Sequence, residues 1–139
     1  IAQNDTIKIV GAYAITAGAS ATSLGTINAD RVIFQGVTTS TADQLAFKFG
    51  STGSITNCTF TAYDLTCSVS SPEIKNNTFN NAFISLNESS PTIQDNTFGN
   101  VAYPVEFINE CSPVLSNLIM NNVTNQGIKL TGTVNTNWT

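Results

Sequence analysis

Ile74-Lys75-Asn76-Asn77-Thr78-Phe79 recurs further along the chain as Ile93-Gln94-Asp95-Asn96-Thr97-Phe98. The same spacing leads back to Ile55-Thr56-Asn57-Cys58-Thr59-Phe60. A slightly wider step leads forward to Val114-Leu115-Ser116-Asn117-Leu118-Ile119. A fixed period of about 20 residues marks a solenoid, whose units bury their apolar faces only against their neighbours.

Two further columns keep the period. Ser70-Ser71-Pro72 returns as Ser89-Ser90-Pro91 and again as Cys111-Ser112-Pro113. An apolar–polar–apolar triplet reads Phe47-Lys48-Phe49, Leu65-Thr66-Cys67, Ile84-Ser85-Leu86, Val105-Glu106-Phe107 and Ile128-Lys129-Leu130. That is the period-2 pattern of a half-buried strand. Gly, Ser, Asn and Pro interrupt each unit too often for a helix of ordinary length. Helical repeats run to about 33 residues or more, and leucine-rich repeats need a leucine frame that is absent here. The expected fold is all-β: coils of about 19–23 residues, stacked as parallel strands roughly 4.8 Å apart.

The frame assigns the inward columns. Ile55, Ile74, Ile93 and Val114 form one, and Phe60, Phe79, Phe98 and Ile119 another. Between them lies a polar column that begins at Cys58 and continues as an asparagine ladder, Asn77, Asn96, Asn117 and Asn137. Asn tolerates the left-handed conformation of a tight bend, and its amide can bond the amides above and below.

With its Ile-x-Asn-Asn-x-Phe repeats, the chain resembles the right-handed parallel β-helices of the pectate-lyase-like kind. The resemblance is clearest from Leu45 to Leu130 and implies a single-stranded right-handed parallel β-helix. The chain reads as one domain over residues 1–139. Residues 1–44 form irregular first coils, 45–130 the regular repeats and 131–139 an incomplete last coil. In the irregular part Asp30-Arg31-Val32-Ile33-Phe34-Gln35-Gly36-Val37 reads as a coil with Gly at the bend, and Ile7-Lys8-Ile9 and Ala14-Ile15 as strands. The motif speaks for fold and is nearly silent about activity, which resides in sites carried on a fold.

Composition narrows the function. Charged residues make up 10% of the chain, against roughly 25% in ordinary soluble proteins. Asn, Thr and Ser take their place, a composition suited to an extracellular or cell-surface β-solenoid. A net charge of −4 with five basic residues argues against a nucleic-acid partner. No apolar run is long enough for a membrane-spanning helix. No signal peptide is visible, and a chain that starts at Ile1 rather than Met points to processing or excision. With no His and no Cys-x-x-Cys, no zinc ligand set exists, and no cofactor is expected.

Three cysteines cannot all pair within one chain. Cys67 reads as a buried apolar residue, whereas Cys111, in the turn before Pro113, is the thiol expected to be exposed. Sequons fall at Asn4, Asn57, Asn76, Asn87, Asn122 and Asn137. Several arise by chance in so Asn- and Thr-rich a chain. Asn57 and Asn76 are expected to face solvent and Asn87 and Asn122 to lie in turns, making these four and Asn4 the candidate glycosylation sites.

Pectinase-like β-helices catalyse with clustered Asp or Glu, often with Lys or Arg, on one outer strand face. The column Lys48, Thr66, Ser85, Glu106, Lys129 sets Glu106 beside Lys129, which reads first as an exposed cross-coil ion pair. Glu106 and Glu110 are the weak candidates for a carboxylate pair. No basic residue or aromatic platform converges on them, so a catalytic role is not expected. The Thr59, Thr78, Thr97 column breaks at Leu118 and so argues against an ice-binding array.

The ends carry the functional expectation. No amphipathic helix covers residues 1–11 or 131–139, although exposed strand edges normally need a cap. Either the chain is a fragment of a longer β-helix or its ends stack head to tail on other copies, a contact that makes filaments when it does not close. The leading reading is an extracellular structural subunit stacking into a filament or surface assembly. The alternatives are part of a secreted polysaccharide lyase or glycosidase, which would bind glycans or polysaccharide, and an adhesin or fibre segment.

Overall fold

The computed structural model describes residues 1–8, 13–37 and 43–132. Among these residues the regular structure is all strand, without a helix. The chain visits three parallel sheets in rotation. The first sheet takes β1 (Thr6–Lys8), β4 (Ile33–Gln35), β7 (Thr59–Thr61), β10 (Thr78–Asn80), β13 (Thr97–Gly99) and β16 (Ile119–Asn121). The second takes β2 (Ala14–Ala17), β5 (Gln44–Lys48), β8 (Asp64–Ser68), β11 (Ile84–Asn87), β14 (Val105–Ile108) and β17 (Ile128–Thr131). The third takes β3 (Thr26–Asp30), β6 (Thr52–Thr56), β9 (Glu73–Lys75), β12 (Thr92–Gln94) and β15 (Val114–Ser116). The protein is a parallel β-solenoid.

The register follows the repeat frame through the middle coils, with Ile55 on Ile74 on Ile93 and Phe60 on Phe79 on Phe98. These six residues have no solvent exposure. Phe34 extends the aromatic column, and successive ring centroids stand 4.8, 4.7 and 5.0 Å apart. Tyr63 packs beside Phe34 at 6.0 Å and accepts the Ile15 N–H on its hydroxyl.

Past β13 the frame slips by a single position. Thr92 pairs with Val114, Ile93 with Leu115, and Phe98 with Met120. This coil is thus one residue longer than the sequence frame assumes, and Val114 and Ile119 point outward at 62% and 56% exposure. Leu115 and Met120 take the inward places. The polar columns move with them: Leu118 lies above Asn96, and Asn117 lies above Asp95, donating to its Oδ1 at 2.9 Å. Asn117 is therefore not a rung of the buried ladder. Asn137, with the rest of 133–139, lies outside the described residues, as does Ile9.

A second slip sits at β5. Leu45, not Phe47, pairs with Leu65, so the first triplet of the second sheet is Leu45-Ala46-Phe47. Lys48 then falls opposite Ser68, and Phe49 is 44% exposed instead of buried. The early coils are longer, with Thr6 pairing with Ile33 and Ala14 with Gln44. The bend between β3 and β4 is made by Arg31, at φ 54°, and Gly36 follows β4. Gly36 permits close approach: a Cβ there would lie 2.0 Å from the Ala62 carbonyl oxygen.

Candidate functional site: the outer face of the second sheet

Residues that alternate with the core positions of β8, β11, β14 and β17 form the outer face of the second sheet. Glu106 pairs in register with Lys129. The Lys129 ammonium stands 2.8 Å from Glu106 Oε1, which also accepts the Thr131 hydroxyl at 2.8 Å. The bond to Glu106 and its charge hold the Lys129 ammonium above its usual pKa. The ion pair expected from the repeat frame is thus present, and water around Lys129 screens it to a weak contact.

A shallow cavity of about 240 Å³ opens beside this pair, lined by Phe83, Val101, Ala102, Tyr103, Glu106 and Lys129. A second, of about 160 Å³, shares Phe83, Val101 and Ala102 and reaches Asp64. Burial raises the Asp64 pKa to about 6; the Phe83 N–H bonded to its carboxylate at 3.1 Å works against this, and the Asp43 charge adds to it. Asp64 was not singled out from sequence. Its environment depends on the pairing of Leu65 with Ile84, which places Asp64 next to Phe83.

Asp64 and Glu106 lie two strands and two residues apart, about 12 Å between Cα atoms at ordinary sheet spacing. Glu110 follows Asn109, whose φ of 61° turns the chain out of β14, and it does not line the cavity that Glu106 lines. Among the described residues no three His, Cys, Asp or Glu side chains are grouped as a metal site.

The cysteines differ from expectation at one position. Cys111 is buried, at 1% exposure, and its thiol faces the carbonyl oxygens of Leu86 at 3.5 Å and Ile108 at 3.6 Å. The reason lies in its column: Ser70 and Ser89, its counterparts in earlier coils, are buried too. Cys58 and Cys67 are likewise free and buried. Burial pushes the Cys67 thiol well above the ordinary range.

Of the candidate glycosylation sites, Asn4, Asn57, Asn76 and Asn122 are exposed and Asn87 is half-buried. Two amide nitrogens are engaged: Asn57 Nδ2 donates to Asp30 Oδ1 at 2.8 Å and Asn122 Nδ2 to Asn100 Oδ1 at 2.6 Å. Asn87 accepts from Asn109 Nδ2 at 2.8 Å. A glycan on Asn57 or Asn122 would leave its amide a single N–H for the cross-coil bond.

No family model, no curated protein and no solved structure matches this chain.

Proposed function

We propose that this chain is a structural subunit of an extracellular or cell-surface assembly, and that it stacks end to end on copies of itself into a filament. The coil is taken as right-handed, of the pectate-lyase-like kind. The observation that carries the reading is the contrast between Leu130 and the residues beneath it. Leu130 is 58% exposed, whereas Cys67, Leu86 and Phe107 in the same column are at 1% or less. Ile128 and Leu115 also lie at this end, more open than their counterparts below. A further coil in register would bury this apolar cross-section and pair the open edges of β15, β16 and β17. A second copy of the chain offers a strand edge of matching polarity at β1, making the contact heterologous and open-ended. Asn76, exposed at a corner, is the sequon best placed to carry a glycan without obstructing the stack.

The test is light scattering over a range of concentrations, comparing the chain with Leu130→Asp. Concentration-dependent growth that the substitution abolishes, with unchanged circular dichroism, is the expected result. Monomers at every concentration would sink the reading.

The second reading is a portion of a secreted polysaccharide lyase or glycosidase, favoured by the groove between Asp64 and Glu106. It requires activity on acidic or neutral polysaccharide that Glu106→Gln removes. An adhesin segment would instead retain the scaffold and bind a receptor.

A further inference from the structure

The three outer faces differ in charge. Outward positions of the second sheet carry Asp64, Glu106 and Lys129, and those of the third carry Asp30, Glu73 and Lys75, the last two an ion pair. Among the described residues of the first sheet, Lys8 at one end is the only charge. The register builds a continuous column there from Thr6, Ile33, Thr59, Thr78, Thr97 and Ile119. All six residues are β-branched. The Thr run ends after Thr97, as expected from sequence, but at Ile119 and not at the half-buried Leu118, and Ile33 bounds it on the other side.

This face is regular because of what lies under it. The rings of Phe34, Phe60, Phe79 and Phe98 stack directly behind the column, with interplanar angles of 13°, 11° and 12°. Their centroid spacing of 4.7 to 5.0 Å gives the interval at which Thr59, Thr78 and Thr97 repeat along the solenoid. Across a strand, positions two apart are separated by about 6.6 Å, so Thr61 and Asn80 stand beside Thr59 and Thr78, and this second rank is interrupted at Gly99 beside Thr97. β-branched side chains are stiff at χ1, so the hydroxyl and methyl groups are held in place before any ligand arrives. A rank of Thr hydroxyls can donate to and accept from a row of waters.

We propose that the outer face of the first sheet binds the surface of ice. The repeat along the column lies close to the short oxygen repeat on a prism face of hexagonal ice. An uncharged, hydroxylated, pre-ordered face complements an uncharged lattice of water, whereas a charged macromolecule would find no counter-charge along the column. Binding here is independent of end-to-end stacking, which would only lengthen the face.

The experiment measures ice-crystal shaping and inhibition of ice recrystallisation by the full chain, by Thr78→Lys in the middle of the column, and by Ser85→Lys on the second sheet. Circular dichroism and thermal melting check that each variant folds. The expected result is faceted crystals with the wild type and with Ser85→Lys. Thr78→Lys should need at least roughly tenfold more protein for equal inhibition, a loss of about 1.4 kcal/mol or more. Wild-type protein no more active than a non-binding control would overturn the proposal. So would equal activity of Thr78→Lys and wild type, or an equal loss in Ser85→Lys. Pelleting with powdered cellulose or chitin, without any effect on ice, would overturn it in favour of a different lattice.

Discussion

At the corner between the third and first sheets, Arg31, Asn57, Asn76, Asp95 and Asn117 each hold φ between 51° and 55°. At the corner after the first sheet, Ala62, Asn81, Asn100 and Asn122 hold φ between 49° and 54°. Asn enters the left-handed region more readily than other non-glycine residues, which accounts for its abundance here. One residue further in from the first corner the asparagines have a different task. Asn96 Oδ1 accepts the Asn77 backbone N–H at 2.9 Å, and Asn96 Nδ2 donates to the Ile74 carbonyl at 2.9 Å; Asn77 repeats both bonds one coil earlier, to Cys58 and Ile55. Asn96→Ala would orphan buried donors and acceptors and should cost about 2–4 kcal/mol in urea unfolding. Asn117→Ala, in the outer column, should cost only about 1 kcal/mol, since it loses an exposed bond and a left-handed preference. Equal losses would contradict the longer step that moves Asn117 out of the ladder. At the third corner Val69 holds φ 52° while exposed, a poor place for a β-branched residue. Val69→Asn should raise stability by about 1 kcal/mol, read as a higher urea midpoint with an unchanged slope.

At the scale of the strand and sheet, the regular coils were legible because residues 55–98 repeat without an insertion. Core alternation, the Phe stack and the Glu106–Lys129 pair all follow from that frame. Where turn length changes, hydrophobicity alone misleads: Val114 resembles the isoleucines before it and Asn117 the asparagines. The proline column held the correct register, since Pro91 and Pro113 immediately precede the paired residues Thr92 and Val114. Phe49 was misplaced for the same reason, two aromatics flanking Lys48 imitating the pattern of β8. The groove at Asp64 was not legible, because it depends on which residue of the next coil stands beside the carboxylate. That carboxylate also carries a pH signature. Its folded pKa of about 6 exceeds the ordinary 3.8, so the folded state binds the proton more tightly. Stability from this group is present in full below about pH 4 and is lost as the pH rises through about 6. Asp64→Asn should therefore be more stable than the wild type by about 1–2 kcal/mol at pH 8, discounted for partial solvent access. The two should converge by about pH 3.5. A difference that persists unchanged across that range would show that Asp64 keeps an ordinary pKa.

At the scale of the whole molecule, three sheets of one polarity stack along a common axis, so the ends are unlike and complementary in strand direction. The apolar column that is closed at Cys67, Leu86 and Phe107 is open at Leu130, and under the proposed stacking a further coil in register would close it. The most direct test is negative-stain electron microscopy of the purified chain over a range of concentrations, beside Leu130→Asp. Long fibres of uniform width from the wild type, and none from the variant, are the result this account predicts. Isolated short rods of wild-type protein at every concentration would contradict it.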